Sequence, residues 1–355
     1  MEGYIDLDEL LEMNPQKVIE EYEERILKLK DPEYSYFFAD NIEGSNIAAH
    51  EKVVLESKDL KYNYLFALRI KGSDKLAHEK IILESKDLHA NYLYALYIPG
   101  ADVKAHGQVI IESKNLGYNY SFADEVKGAD ILGHGRVIID SKDPEYNYDY
   151  AYYIKGADIL AHGQVIIDSK DPEYNFFFAR DIKGSNMPAH EKAVIDSKDP
   201  QYNYLFAQKI EGSDKLAHEK IVLESKDLQT NYLYTLYVPG ANVSAHRQVI
   251  LDSKDPYYNY AFAKNVKNID IHEHEKVILD SKDPELNYEF ARNIEGADIL
   301  SHEQVVIDSN NVDLCEQFMD IEGSDIEKLI DAIKKNNEDY YNQDNGIVMS
   351  LKKGE

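Results

Sequence analysis

The sequence predicts an all-α fold, a right-handed α-solenoid of ten helix-turn-helix repeats closed by terminal capping helices. Three observations predict it. Histidines recur every 28 residues, at His50, His78, His106, His134, His162, His190, His218, His246, His274 and His302. Each interval carries two helix starts and two helix stops. Nothing is left over for a strand pattern. A fixed period of this length marks an array whose units bury their apolar faces only against neighbouring units.

Residues 1–30 depart from the repeat. Leu7, Leu10, Leu11 and Met13, then Val18, Ile19, Tyr22 and Ile26, are spaced as two short helical pieces with Asn14-Pro15 between them. The second piece falls in the register of a repeat's second helix. It carries Glu20, Glu21, Glu23 and Glu24 on its expected outer side, as an N-terminal cap should. Ten repeats follow, starting near Asp31, Asp59, Asp87, Asn115, Asp143, Asp171, Asp199, Asp227, Asp255 and Asp283.

The unit Ser141–Asp168 shows the signals best. Asp143-Pro144-Glu145 supplies an N-cap, a proline at the first helical position and an acid in the first turn. Helix A is expected over roughly Pro144 to Ile154, with Gly156 stopping it as a C′ glycine. Asp158 then caps helix B, which is expected to run to Ser169, where the next Asp-Pro breaks it. In the second repeat Asn63, Phe66, Ala67 and Ile70 form one stripe of helix A, and His78, Ile81, Ile82 and Ser85 one stripe of helix B.

The array ends where Asn310-Asn311-Val312 replaces the Ser-Lys-Asp-Pro signal. One residue is deleted before Ile321-Glu322-Gly323, and Ile330 falls where the next histidine would stand. Residues 311–335 are expected to be a capping unit whose last helix covers Asp325 to Lys335. Residues 336–355 are a polar tail, in which Ile347, Val348, Met349 and Leu351 offer a short docking segment.

Composition narrows the function. The chain has 355 residues, 43% apolar, and a formal charge of −27. That charge argues against direct binding of nucleic acid through its phosphates. Cys315, the one cysteine, excludes an internal disulfide framework and a cysteine-based zinc site. No apolar run approaches the about 18 residues of a membrane span and no leader pattern precedes the repeats, so a cytoplasmic location without membrane contact is expected.

A longer period lies over the short one. Lys75–Lys80 recurs as Lys215–Lys220, and Asn91–Gly100 as Asn231–Gly240, both 140 residues later. Residues 31–170 and 171–310 are therefore two copies of a five-repeat block. The duplication is open to two readings: a duplication without further role, or two equivalent patches for a symmetric or doubled protein partner.

The shared polar positions are expected to be scaffold. Each ladder histidine sits on the apolar stripe of helix B, and ladder members one repeat apart are too distant to share an ion. The asparagines from Asn63 to Asn287 should bond the turn backbone of an adjacent repeat. An acid closing each helix B, such as Glu56 or Asp168, should be offset by the lysine two residues on. No glycine-rich phosphate loop, metal set or nucleophile motif is present, so no catalytic, cofactor or metal residues are expected and the chain reads as a non-enzyme.

What differs between copies is free to serve recognition. Those positions in helix A are Leu65, Leu68, Leu93, Leu96, Tyr97, Tyr152 and Tyr153, then Leu205, Leu233, Leu236 and Tyr237. They make Leu/Tyr patches of the kind found at protein contacts, or else pack between neighbouring A helices.

The unit from Ser169-Lys170-Asp171-Pro172-Glu173-Tyr174-Asn175 through Gly184 to His190-Glu191-Lys192 resembles short two-helix repeats of bacterial and bacteriophage proteins. It is similar in outline to HEAT and variant leucine-rich α-solenoids, although its 28 residues are fewer than a HEAT unit. The resemblance covers residues 31–310. It implies a curved scaffold that binds another protein, and a phage-type inhibitor or sequestering protein for a host factor. The alternative from charge is an acidic decoy that mimics nucleic acid in a basic groove.

Overall fold

The computed structural model describes residues 7–335, and no strand occurs among them. By its contacts the chain divides into two units, 1–190 and 191–355. Within each, helix A packs on helix B of its own repeat, and both pack on the helices of the next. Each unit is thus a stretch of the expected α-solenoid. Helices A run from Pro32–Asn41 in repeat 1 to Pro284–Asn293 in repeat 10, and helices B from Ile47–Ser57 to Ile299–Asp308.

The junction between repeats is one hydrogen-bonded knot. In repeat 2, Asp59 caps helix A by accepting the Tyr62 N–H at 3.1 Å. Ser57 accepts the Asp59 N–H at 3.1 Å and donates to the Val54 carbonyl at 2.6 Å. The Asn63 amide donates to that same carbonyl at 3.0 Å and to the Asp59 carbonyl at 2.7 Å. Asn63 therefore ties the end of one helix B to the start of the next helix A. Its oxygen then faces His78 Nδ1 at 2.8 Å. The expected asparagine–backbone bond is present, and the sequence had not shown its coupling to histidine.

Two helix ends differ from expectation. Helix A of repeat 5 (Pro144–Tyr153) ends on extended Ile154, and Gly156 (φ +93°) lies in a turn closed by the Ala157 N–H to the Ile154 carbonyl at 3.1 Å. The glycine supplies positive φ two residues beyond the cap, so it is not the C′ residue. Helix B instead ends on lysine in the left-handed region, from Lys30 (φ 54°) through Lys58 (φ 56°) to Lys282 (φ 55°), with Asn310 (φ 58°) closing the series. Nor does that lysine offset the acid at the end of helix B. The acid pairs four residues back, as Lys52–Glu56, Arg136–Asp140 and Lys192–Asp196 do, or accepts from glutamine, as Asp168 does from Gln164.

The ends of the array close its core. Leu7–Glu12 leads to Pro15–Leu29, a helix with a π-helical stretch at Ile19–Glu23. Lys30 repeats the left-handed stop, which places this helix in the register of a helix B. Glu23 does not point outward. Its carboxylate accepts the Asn46 N–H at 2.6 Å and faces His50 Nε2 at 3.3 Å. At the other end Cys315 occupies the asparagine position, and Leu329, fully buried, takes the place of the histidine. Ile330 is 38% exposed, because the one-residue deletion shifts the register. The last helix covers 326–335; the tail and its Ile347–Leu351 segment lie outside the described residues.

Candidate interaction surface

The ladder histidines are all fully buried. Nine of them, His78 to His302, bond Nδ1 to the asparagine oxygen of their own repeat at 2.6–2.8 Å. Because the asparagine NH2 donates to two carbonyls, its oxygen is the acceptor here, and the imidazole proton sits on Nδ1. His50 lacks this partner, since Ser35 stands in the asparagine position and neither Ser35 Oγ nor His50 Nδ1 finds a bond.

What Nε2 faces depends on the residue after the histidine one repeat earlier. Glu51 and Glu79 face His78 and His106 at 3.2 Å, and each also accepts a helix B N-cap N–H at 2.6 Å. Glu191, Glu219 and Glu275 do the same toward His218, His246 and His302 at 3.2–3.3 Å. With the ring proton on Nδ1, such a contact is attractive only while a further proton lies between ring and carboxylate. Burial lowers the pKa of these rings, and the facing glutamate works against that shift.

Repeats 4 to 6 differ. The preceding residues are Gly107, Gly135 and Gly163, and His134, His162 and His190 have no partner at Nε2. The aromatic ring of the same repeat moves in, with centroids 4.8–4.9 Å from the imidazole against 5.2–5.3 Å in repeats 2 and 3. A Cβ at Gly107 would come within 3.3 Å of both Phe122 and His134. Burial pushes these three histidines down to about 4, relieved a little by Asp130 at His134 and Asp158 at His162. His274 is also lowered to about 4; Arg247, in place of the glutamate, adds to burial. These buried groups are hydrogen-bonded scaffold, with no open face for a ligand.

The variable positions of helix A sort into two kinds. Leu65, Leu93, Leu96, Leu205, Leu233 and Leu236 are half-buried, and Leu65, Leu96, Leu205, Leu233 and Leu236 pack against core clusters of the array. Tyr97, Tyr152, Tyr153 and Tyr237 are exposed, by 50–61%, and Leu68 by 39%. Spacing had put all of them off the core stripe. Which of them a neighbouring repeat covers depends on packing between repeats, which spacing within one helix does not carry.

Around Tyr152 the surface is aromatic and acidic. Tyr148 stacks on Tyr152 at 5.8 Å, and Tyr152 meets Tyr153 edge-on at 4.7 Å. Asp149 is half-buried beside them, its pKa raised by burial and then by Glu145. Tyr120 is pushed up to about 12 by burial, with Asp124, Asp149 and Tyr153 adding to it. Helices A of repeats 3 to 5 hold Asp124, Glu125, Glu145 and Asp149 and no lysine or arginine. Arg180 of repeat 6 is held by Asp181 through two 2.7-Å bonds, and Asp181 also accepts from the Tyr148 hydroxyl at 2.9 Å. On helix B a separate row of leucines is exposed, including Leu132 and Leu160.

Among the described residues no helix is long and apolar enough to cross a membrane, and their His, Cys, Asp and Glu side chains form no group of three or more placed to hold a metal. No protein-family model, curated protein or solved structure matches the chain.

Proposed function

We propose that this chain is a non-enzymatic scaffold that binds another protein through its A helices, of the sequestering kind the repeat resemblance implies. One observation carries the reading. The side chains common to all copies are committed to the knot between repeats, while large exposed apolar groups stand where copies differ. Tyr97 and Tyr237, 140 residues apart in sequence, are each 54% exposed at the same place in two blocks. Tyrosine at such a position offers area at low entropic cost and is frequent at binding hot spots. The acidic-decoy reading is weakened by where the carboxylates go: helix caps, histidine brackets and i,i+4 pairs occupy most of those on helix B.

The test is capture of a partner from native cell extract by the full chain. Tyr97→Asp with Tyr237→Asp should abolish capture, whereas Leu132→Asp on helix B should leave it intact. Equal retention by all three proteins would overturn the proposal.

A further inference from the structure

The two blocks place equivalent tyrosines in different electrostatic settings. In repeats 9 and 10 the tyrosine after the ladder asparagine receives a cation from four residues on. Lys264 lies 5.1 Å over the Tyr260 ring and donates to its hydroxyl at 2.8 Å. Arg292 lies 5.8 Å over Tyr288 and donates to its hydroxyl at 3.2 Å. In repeats 4 and 5 the same tyrosines are Tyr120 and Tyr148, and the residues four on are Asp124 and Tyr152. No cation comes from four residues on; an acid or a further ring stands there, and the Tyr148 hydroxyl donates instead to Asp181 of the next repeat at 2.9 Å, beside the Arg180 that Asp181 holds. Among the described residues no cation pairs with Asp124 or Asp149, and Asp149 is half-buried.

Half-buried Asp149 and exposed Asp124, on the same helices as these tyrosines, attract a guanidinium or ammonium group by charge, and the ring quadrupoles add to it. We infer that the A helices of repeats 4 and 5, Leu116–Glu125 and Pro144–Tyr153, form a docking surface for a basic segment of a partner protein. Its arginine or lysine side chains take the place at Tyr120 that Lys264 fills at Tyr260, and lie against Tyr152 and Tyr153. A second copy of this chain is disfavoured as occupant, because it carries the same charge of −27. The inference rests on the A-helix scaffold reading and adds the chemistry of the partner.

The probe is a fluorescent octa-arginine peptide bearing one benzophenone side chain, titrated into the full chain by anisotropy and then photocrosslinked. Asp124→Lys restores the arrangement of repeat 9 and should weaken binding by about tenfold or more. Asp168→Lys on helix B makes the same charge change and should have little effect. Tyr152→Ser with Tyr153→Ser leaves charge untouched and should also weaken binding several-fold, with unchanged circular dichroism. Crosslinks should fall within 116–125 and 144–153. Equal loss for Asp124→Lys and Asp168→Lys, or crosslinks spread over the acidic helix B ends, would mean attraction by net charge and overturn the inference. Crosslinks confined to other A helices, or no binding at all, would also overturn it. Either result would leave the scaffold reading to the Tyr97/Tyr237 experiment.

Discussion

Repeats 2 and 3 and repeats 4 to 6 share one scaffold and differ from it in opposite directions. In repeats 2 and 3 each histidine is held from both sides, by asparagine at Nδ1 and glutamate at Nε2. The surface outside them is leucine and tyrosine. In repeats 4 to 6 glycine replaces the glutamate, the ring is held from one side, and the outer surface of repeats 4 and 5 turns to tyrosine and aspartate. The difference teaches that the asparagine bond is the constant one through repeats 2 to 10, although repeat 1 does without it. The glutamate is an addition that the same backbone accepts or omits.

The largest expected effect tests that ranking. Asn147→Ala removes two bonds to carbonyls and the bond to His162, whose Nε2 already lacks a partner. It should cost about 3 kcal/mol or more. Asn91→Ala removes the equivalent bonds but leaves His106 held by Glu79, and should cost about 1 kcal/mol less. Urea unfolding, with hydrogen exchange to localise the loss, measures both. Equal costs would show that the glutamate bracket contributes nothing.

Acid should separate the same regions. His134, His162 and His190 are lowered to about 4 in the folded chain. In the unfolded chain they titrate near the ordinary value of about 6.5. Between those values the unfolded state binds more protons, so stability falls as pH drops from about 6.5 to about 4 and changes no further below. Each such histidine removes up to about 3 kcal/mol. Glutamate opposite Nε2 favours the charged ring, so repeats 2 and 3 should lose less. Hydrogen exchange between pH 7 and 4.5 should therefore show helix B of repeats 4 to 6 opening first. Gly107→Glu should move repeat 4 toward the behaviour of repeat 3, provided Phe122 gives by a few tenths of an ångström.

The smallest effect concerns the turn. Lys142 holds φ 60°, a conformation glycine adopts without strain. Lys142→Gly should change stability by less than about 1 kcal/mol, toward stabilisation. A clear loss in thermal unfolding would mean that the lysine side chain, and not only its backbone, serves the junction.

Much of this fold is legible in the sequence because its punctuation is local. An Asp-Pro pair sets a helix start within a few residues, and the histidine period sets the rest. The left-handed lysine is not legible, since lysine has no chemistry that advertises positive φ. Glu51 and Gly107 are not legible either: their meaning lies in the next repeat, against a ring 27 residues later in sequence. The candidate surface is legible as a set of positions. The sorting of Leu96 from Tyr97 required the packing of neighbouring helices, and the missing cation at Tyr120 emerged only beside its filled counterpart at Tyr260.

The central claim is that shared positions hold the array and differing positions bind. One paired measurement tests it most directly: thermal unfolding and partner capture for Asn147→Ala and for Tyr97→Asp with Tyr237→Asp. The account predicts that the asparagine variant loses stability, and that the tyrosine variant unfolds like the wild type while capturing nothing. A tyrosine variant that still captures the partner, or that loses capture only because it unfolds, would contradict it.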